Sequence, residues 1–384
     1  MSNTGIVIVG SGPAAISAAE SYRRAGGTSP VTIVTADSHL PYLRPPLSKD
    51  FLRGDVCASA IELHTQKWFT DLGIELIRDD SVVSIDTGAQ RATTRTGNSI
   101  PFLRLILATG AEPKPLAVTG GRRAFSLRSL SEAQSLRDAA AAADSAVVVG
   151  AGFIGCEAAA SLALRGIATT LVSPDEVPQH SRLGSAVGER ITGILEEAGV
   201  HYVGGVKVSA VHEETVQLDN GVSIATDMVL AATGVAPRTA LATDSGIRLV
   251  TDRIAVDEHM CTSIENVYAA GDVAFAVNRK AGRRIMIEHW QDAITQGEIA
   301  GTNAAGGAQS WDAVPGFWTT IGDRTLKYAA WGDGYARARL VERGTGFSVW
   351  YETNGIAVGV LTLDADDDYA EGQNRIRAGA ALPL

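Results

Sequence analysis

The chain has 384 residues, more than one ordinary hydrophobic core uses, so length alone points to two or three domains. Hydrophobic residues make up 45% and charged residues 20%, an ordinary globular balance, and a net charge of −10 argues against nucleic acid as a general partner. No apolar run approaches the ~18 residues of a membrane span, and Ile6–Val9 is too short for a signal peptide, so a soluble, cytoplasmic protein without a membrane partner is expected.

Gly5–Gly10 reads as a short buried strand rich in Ile and Val. A glycine turn follows, then a helix over Ala14–Ala25 and a second strand over Val31–Val34, the β–turn–α–β order of a dinucleotide-binding unit. Strands are expected near Ser81–Ile85 and Leu103–Ala108. The unit then recurs: strand Ala146–Val149, turn Gly150–Gly155, helix Glu157–Arg165, strand Thr169–Val172. Met228–Ala232 and Asn266–Ala269 read as further strands. From about Trp311 the pattern becomes aromatic and β-rich, in Leu326–Trp331 and Phe347–Val360, and the acidic run Asp364–Asp368 reads as solvated surface.

The first turn is Gly10-Ser11-Gly12-Pro13-Ala14-Ala15. Gly10 allows the tight turn, Gly12 lets backbone approach a pyrophosphate, and Ala15 permits close helix–strand packing. Pro13 suits the first helical turn, where its missing N–H costs nothing. The helix start then offers amide donors and a positive dipole end to phosphates. Asp37, slightly beyond the usual spacing, is the candidate acid for ribose hydroxyls. The second turn, Gly150-Ala151-Gly152-Phe153-Ile154-Gly155, has all three glycines, but its second strand ends at Ser173 rather than an acid.

The three cysteines, Cys57, Cys156 and Cys261, form no CxxC or CxxxxC pair, so neither a disulfide framework nor an iron–sulfur cluster with its about four ligands is available. Free buried thiols are expected. The seven histidines show no metal spacing, and no metal is expected.

Four more stretches narrow the reading. Ala108-Thr109-Gly110-Ala111 and Ala232-Thr233-Gly234-Val235-Ala236-Pro237 each follow a buried strand, Ala270-Gly271-Asp272 follows another, and Arg44-Pro45-Pro46-Leu47-Ser48-Lys49 follows the first nucleotide unit. With the two glycine turns, these make the chain resemble the pyridine-nucleotide flavoprotein reductases over about residues 5–300. More narrowly it resembles the oxygenase-coupled ferredoxin reductases. The resemblance implies an α/β fold of two Rossmann-like domains plus a small α+β C-terminal domain. Residues 1–112 with 240–313 would bind FAD, residues 113–239 would bind NAD(P)H, and residues 314–384 would form the third domain.

It also implies roles. Asp272 should hydrogen-bond the ribityl or pyrophosphate region of FAD. Arg44, Pro45 and Lys49 should lie near the isoalloxazine, with Glu157 meeting Lys49 beside N5. Glu288-His289-Trp290 should run over the flavin toward the nicotinamide, and Trp318 should cover the nicotinamide pocket. After Trp318 the chain reads Thr319-Thr320-Ile321, a departure from the family, whose members more often carry polar and acidic groups there. On residue type alone, Lys49 and Glu157 read equally as surface groups, and Trp290 and Trp318 as core aromatics.

A dithiol reductase of this kind needs cysteines near the flavin, but Leu43–Phe51 has none. Electrons would then leave for an external acceptor, in the resembled family a small ferredoxin. A small-molecule acceptor and a redox-sensing role stay open. Arg279, Lys280, Arg283 and Arg284, just before Glu288, are a candidate ferredoxin-docking cluster or simply a solvated hairpin. NADH, with NADPH also accepted, and a monomer or homodimer are expected.

Overall fold

The computed structural model describes residues 4–383, so the outermost residues of the first and last expected domains lie outside it. The fold is mixed α/β and separates into two compact units. The first comprises Met1–Leu43, Glu62–Glu112 and Pro237–Phe317. Its main sheet runs Ile74–Ile77, Val31–Val34, Gly5–Val9, Ser99–Leu107, Arg91–Thr94, Val82–Asp86, with Val267–Ala269 also paired to Ser99–Leu107. Gly5–Val9 is parallel to both neighbours and buried at every residue, as a central parallel strand between covering layers must be. Helices Pro13–Arg24 and Trp290–Ala304 pack together very closely. At Gly297 and Gly301 an added Cβ would lie 2.2 Å from the Ala14 carbonyl oxygen and 2.1 Å from that of Ala18, so only glycine permits the approach. A smaller sheet orders Leu249–Val250, Arg253–Val256, Ala274–Asn278 and Arg283–Met286.

The second unit comprises Arg44–Ile61, Pro113–Ala236 and Trp318–Leu384. Its parallel sheet runs Val200–Val203, Ala168–Val172, Ser145–Val149, Met228–Ala231. Helix Phe153–Leu164 is buried from Gly155 to Leu162, which its small residues Ala158, Ala159 and Ala160 make feasible. It starts four residues before the expected Glu157, because the turn closes by Gly152. The same unit holds the antiparallel strands Arg324–Ala330, Ile356–Leu363, Gly346–Thr353 and Arg337–Arg343 and the helix Asp366–Ala378. The acidic run is surface, as expected, with Asp364, Asp366 and Asp367 exposed. Asp366, Asp367 and Asp368 form that helix's first turn, where its dipole favours them, and Asp368 also accepts from Ser348 and Arg343.

Candidate functional site

The two glycine turns are built alike. Gly10 has φ +113° and Gly150 φ +106°, and a Cβ would collide with the Ala108 carbonyl oxygen at 2.3 Å in one case and that of Ala232 at 2.5 Å in the other. Each turn therefore packs against the start of its own Ala-Thr-Gly segment. Thr109 Oγ1 donates to the Arg238 carbonyl at 2.8 Å and Thr233 Oγ1 to that of Lys114 at 3.2 Å. Gly110 and Gly234 both take positive φ. Gly12 and Gly152 cap the helices that follow with no side-chain acceptor, and Pro13 occupies the first helical position. Among the described α-helices only Leu130–Ala140 carries a side-chain cap, a full Ser129–Glu132 capping box. Helix starts left open to an external anion are what a pyrophosphate needs. Ala14 and Ala15 are buried, Phe153 half-buried and Ile154 exposed.

Asp37 is partly exposed and organised by neighbours: Oδ1 accepts from the His39 amide and Nδ1, both at 3.0 Å, and Oδ2 from Tyr42 at 2.8 Å. Ser173 is buried, and its Oγ accepts the Asp175 amide at 3.2 Å, so the hydroxyl is already engaged. Asp272 is buried, and Gln296, on the helix of Gly297, accepts the Gly271 amide at 2.9 Å. Gln296 had no signal in the sequence.

Lys49 and Glu157 come together inside the second unit. Both are buried, with Nζ 3.0 Å from Oε2. Ser48 Oγ donates to the same oxygen at 2.5 Å. Oε1 accepts from Thr319 Oγ1 at 2.7 Å and from the Thr320 amide at 3.3 Å. The carboxyl group thus has one cation and three neutral donors around it, so none of its oxygens is buried without a partner. Thr319 and Thr320 supply two of them. Lys49 itself ends the 3-10 turn Pro45–Ser48, which Arg44 precedes, and Ser161 Oγ ties that turn down through the Ser48 carbonyl at 2.8 Å. Ser48 and Thr319 are site residues that sequence reasoning did not single out.

Glu288 is exposed, His289 caps helix Trp290–Ala304, and Trp290 is half-buried. The His289 ring stacks on Phe317 at 4.2 Å. Trp318 is 43% exposed, so neither tryptophan is a core aromatic. The basic cluster lies on a β-hairpin, Ala274–Asn278 with Arg283–Met286: Arg279 and Lys280 are exposed at its turn, Arg283 and Arg284 half-buried on the return strand. The thiols correct the expectation of uniform burial. Only Cys156 is buried, whereas Cys57 is exposed beside Ser59, whose hydroxyl holds its thiol below the usual range, because it lies in a surface loop. Among the described residues no cluster of potential metal ligands occurs, and no helix is long and apolar enough to cross a membrane.

Asp292 was not foreseen. It is buried in the first turn of helix Trp290–Ala304, and Oδ2 accepts the Gly316 amide at 3.3 Å. Burial raises its carboxyl from 3.8 to about 7. A carboxyl raised in the folded state stabilises fully below 3.8 and loses that contribution as pH rises through about 7. Asp292→Asn is therefore expected to match the native protein near pH 4 and to be the more stable, by a few kcal/mol at most, above pH 8. Thermal unfolding across that range checks this; a difference independent of pH would exclude the titration.

Two glycine turns with uncapped helix starts and one buried Lys–Glu pair are thus the main features of the site. The family model described as pyridine nucleotide-disulphide oxidoreductase matches residues 4–297. Rhodocoxin reductase from Rhodococcus erythropolis is 33% identical over 95% of this chain and 87% of its own. Human apoptosis-inducing factor 3 is 31% identical over 87% of this chain and 56% of its own, so the chain spans little more than half of that relative. Among solved structures, the covalent putidaredoxin reductase–putidaredoxin complex aligns at TM-score 0.93 and 27% identity, covering 99% of this chain and 94% of the other. The chain belongs to the pyridine nucleotide-disulphide oxidoreductase family.

Proposed function

We propose that the protein is an FAD-dependent NAD(P)H:ferredoxin reductase, passing electrons to a small iron–sulfur protein that serves an oxygenase or a cytochrome P450. The observation that carries this is Lys49, buried against Glu157 and lying in a segment, Leu43–Phe51, that contains no cysteine. A thiol relay has no starting point there, so electrons pass outward. Residues 1–112 and 240–313 form the FAD domain, 113–239 the NAD(P)H domain and 314–384 the C-terminal domain. FAD, when bound, accepts a hydride from the nicotinamide and releases electrons singly. The open start of helix Pro13–Arg24 takes its pyrophosphate, Asp37 and Asp272 its ribose and ribityl hydroxyls. Arg44 and Pro45 border the ring. Lys49 would lie beside the ring, where its charge would favour electron gain, and Glu157, 3.0 Å from its Nζ, would keep that charge from being uncompensated.

The open start of helix Phe153–Leu164 takes the second nucleotide. Glu288, His289, Trp290 and Trp318 shape and cover the nicotinamide end. Ser173 brings no carboxylate to hold a 2′-OH or repel a 2′-phosphate, but no Arg directly follows it to grip a phosphate, so NADH is favoured with weak discrimination. The basic hairpin, on a chain of net charge −10, offers an acidic ferredoxin a docking face, with exposed Met286 as its apolar contact.

The test is reduction of cytochrome c by NADH or NADPH through a panel of purified ferredoxins. Rates should fall as salt shortens the Debye length below ~10 Å. Arg283→Glu with Arg284→Glu should raise the apparent KM for ferredoxin about tenfold, roughly 1.4 kcal/mol, and leave ferricyanide reduction intact. Salt-independent rates with a silent double variant, or turnover with quinones or oxygen alone, would favour a small-molecule acceptor.

A further inference from the structure

Arg253 is a charged side chain that no part of the proposed mechanism uses, and it is only 4% exposed. It begins strand Arg253–Val256 directly after the turn Thr251-Asp252, whose φ values are +48° and +63°. From there the guanidinium reaches in two directions. Nη1 donates to the Asp272 carbonyl. Nη2 donates to Glu288 Oε1 at 2.5 Å. Nε is buried without a hydrogen-bond partner. Asp272 precedes strand Ala274–Asn278 and Glu288 follows strand Arg283–Met286, so one side chain spans both ends of the basic hairpin.

We propose that Arg253 is a positioning residue that locks the Gly271-Asp272 turn to the Glu288-His289-Trp290 segment, and that its charge neutralises Glu288 beside the flavin. The inference rests on the assignment of both segments to FAD. Geometry makes the two arms separable: the Nη1 arm sets the backbone at Asp272, the Nη2 arm sets the charge at Glu288. Lysine cannot serve both arms, because it has one nitrogen where arginine has a planar fork.

The experiment uses flavin-loaded protein in four forms: native, Arg253→Met, Glu288→Gln and the double variant, with Arg253→Lys as a charge-preserving control. FAD affinity and the flavin midpoint potential are read for each. Arg253→Met should weaken FAD binding about tenfold or more, the usual effect of losing hydrogen bonds to a charged group. It should also lower the midpoint potential, because an uncompensated carboxylate opposes electron gain. Adding Glu288→Gln should restore the potential but not the affinity. Arg253→Lys should keep the potential near native and lose affinity. Additive potential shifts, or an Arg253→Met protein with native affinity and potential, would overturn the proposal. If Arg253→Met does not fold, Arg253→Lys and Glu288→Gln still decide: native FAD affinity in the first together with an unshifted potential in the second overturns it. Failure of the underlying assignment looks different, since Asp272→Asn would then leave flavin content unchanged.

Discussion

Replacing Lys49 with methionine is expected to slow flavin reduction by NADH about 10²-fold in stopped flow while FAD stays bound. The chain should still fold. Methionine fills the aliphatic stem's space, and Glu157 keeps Ser48, Thr319 and the Thr320 amide as donors, so its carboxylate is not stranded. Thr319→Val acts on the same carboxylate without removing the lysine and should give a smaller loss, because one neutral donor is exchanged for a methyl group. An unchanged rate in Lys49→Met would reduce the pair to a structural ion pair.

Gly12→Val should purify without FAD and without flavin-dependent activity, yet remain folded. Gly12 has φ −73° and ψ −177°, an extended conformation open to any residue, so backbone strain gives valine no reason to unfold the chain. The effect falls instead on the space that the helix start leaves for an anion. Gly10→Val differs: at φ +113°, with the Ala108 carbonyl 2.3 Å from any Cβ, it should destabilise the fold itself. Absorbance at the flavin band, read beside circular dichroism, separates the two. A yellow Gly12→Val protein would remove the first glycine turn from the flavin site.

The sequence by itself determined the two nucleotide units. Their signal is local: short continuous apolar runs, glycines at fixed offsets and, in the first unit, a proline at the first helical position act within a few residues of each other. Strand Val31–Val34 falls where its pattern places it, and the other boundaries move by a residue or a few at turns. What only the tertiary structure decided is which polar groups meet at long range. Thr319 reaches Glu157 across 162 positions, Ser48 reaches it across 109 and Arg253 reaches Glu288 across 35. No spacing rule covers such pairs. Burial likewise made Asp292 a group that titrates near neutrality and left Cys57 in water, because desolvation depends on the packing around a side chain and not on its neighbours in the chain.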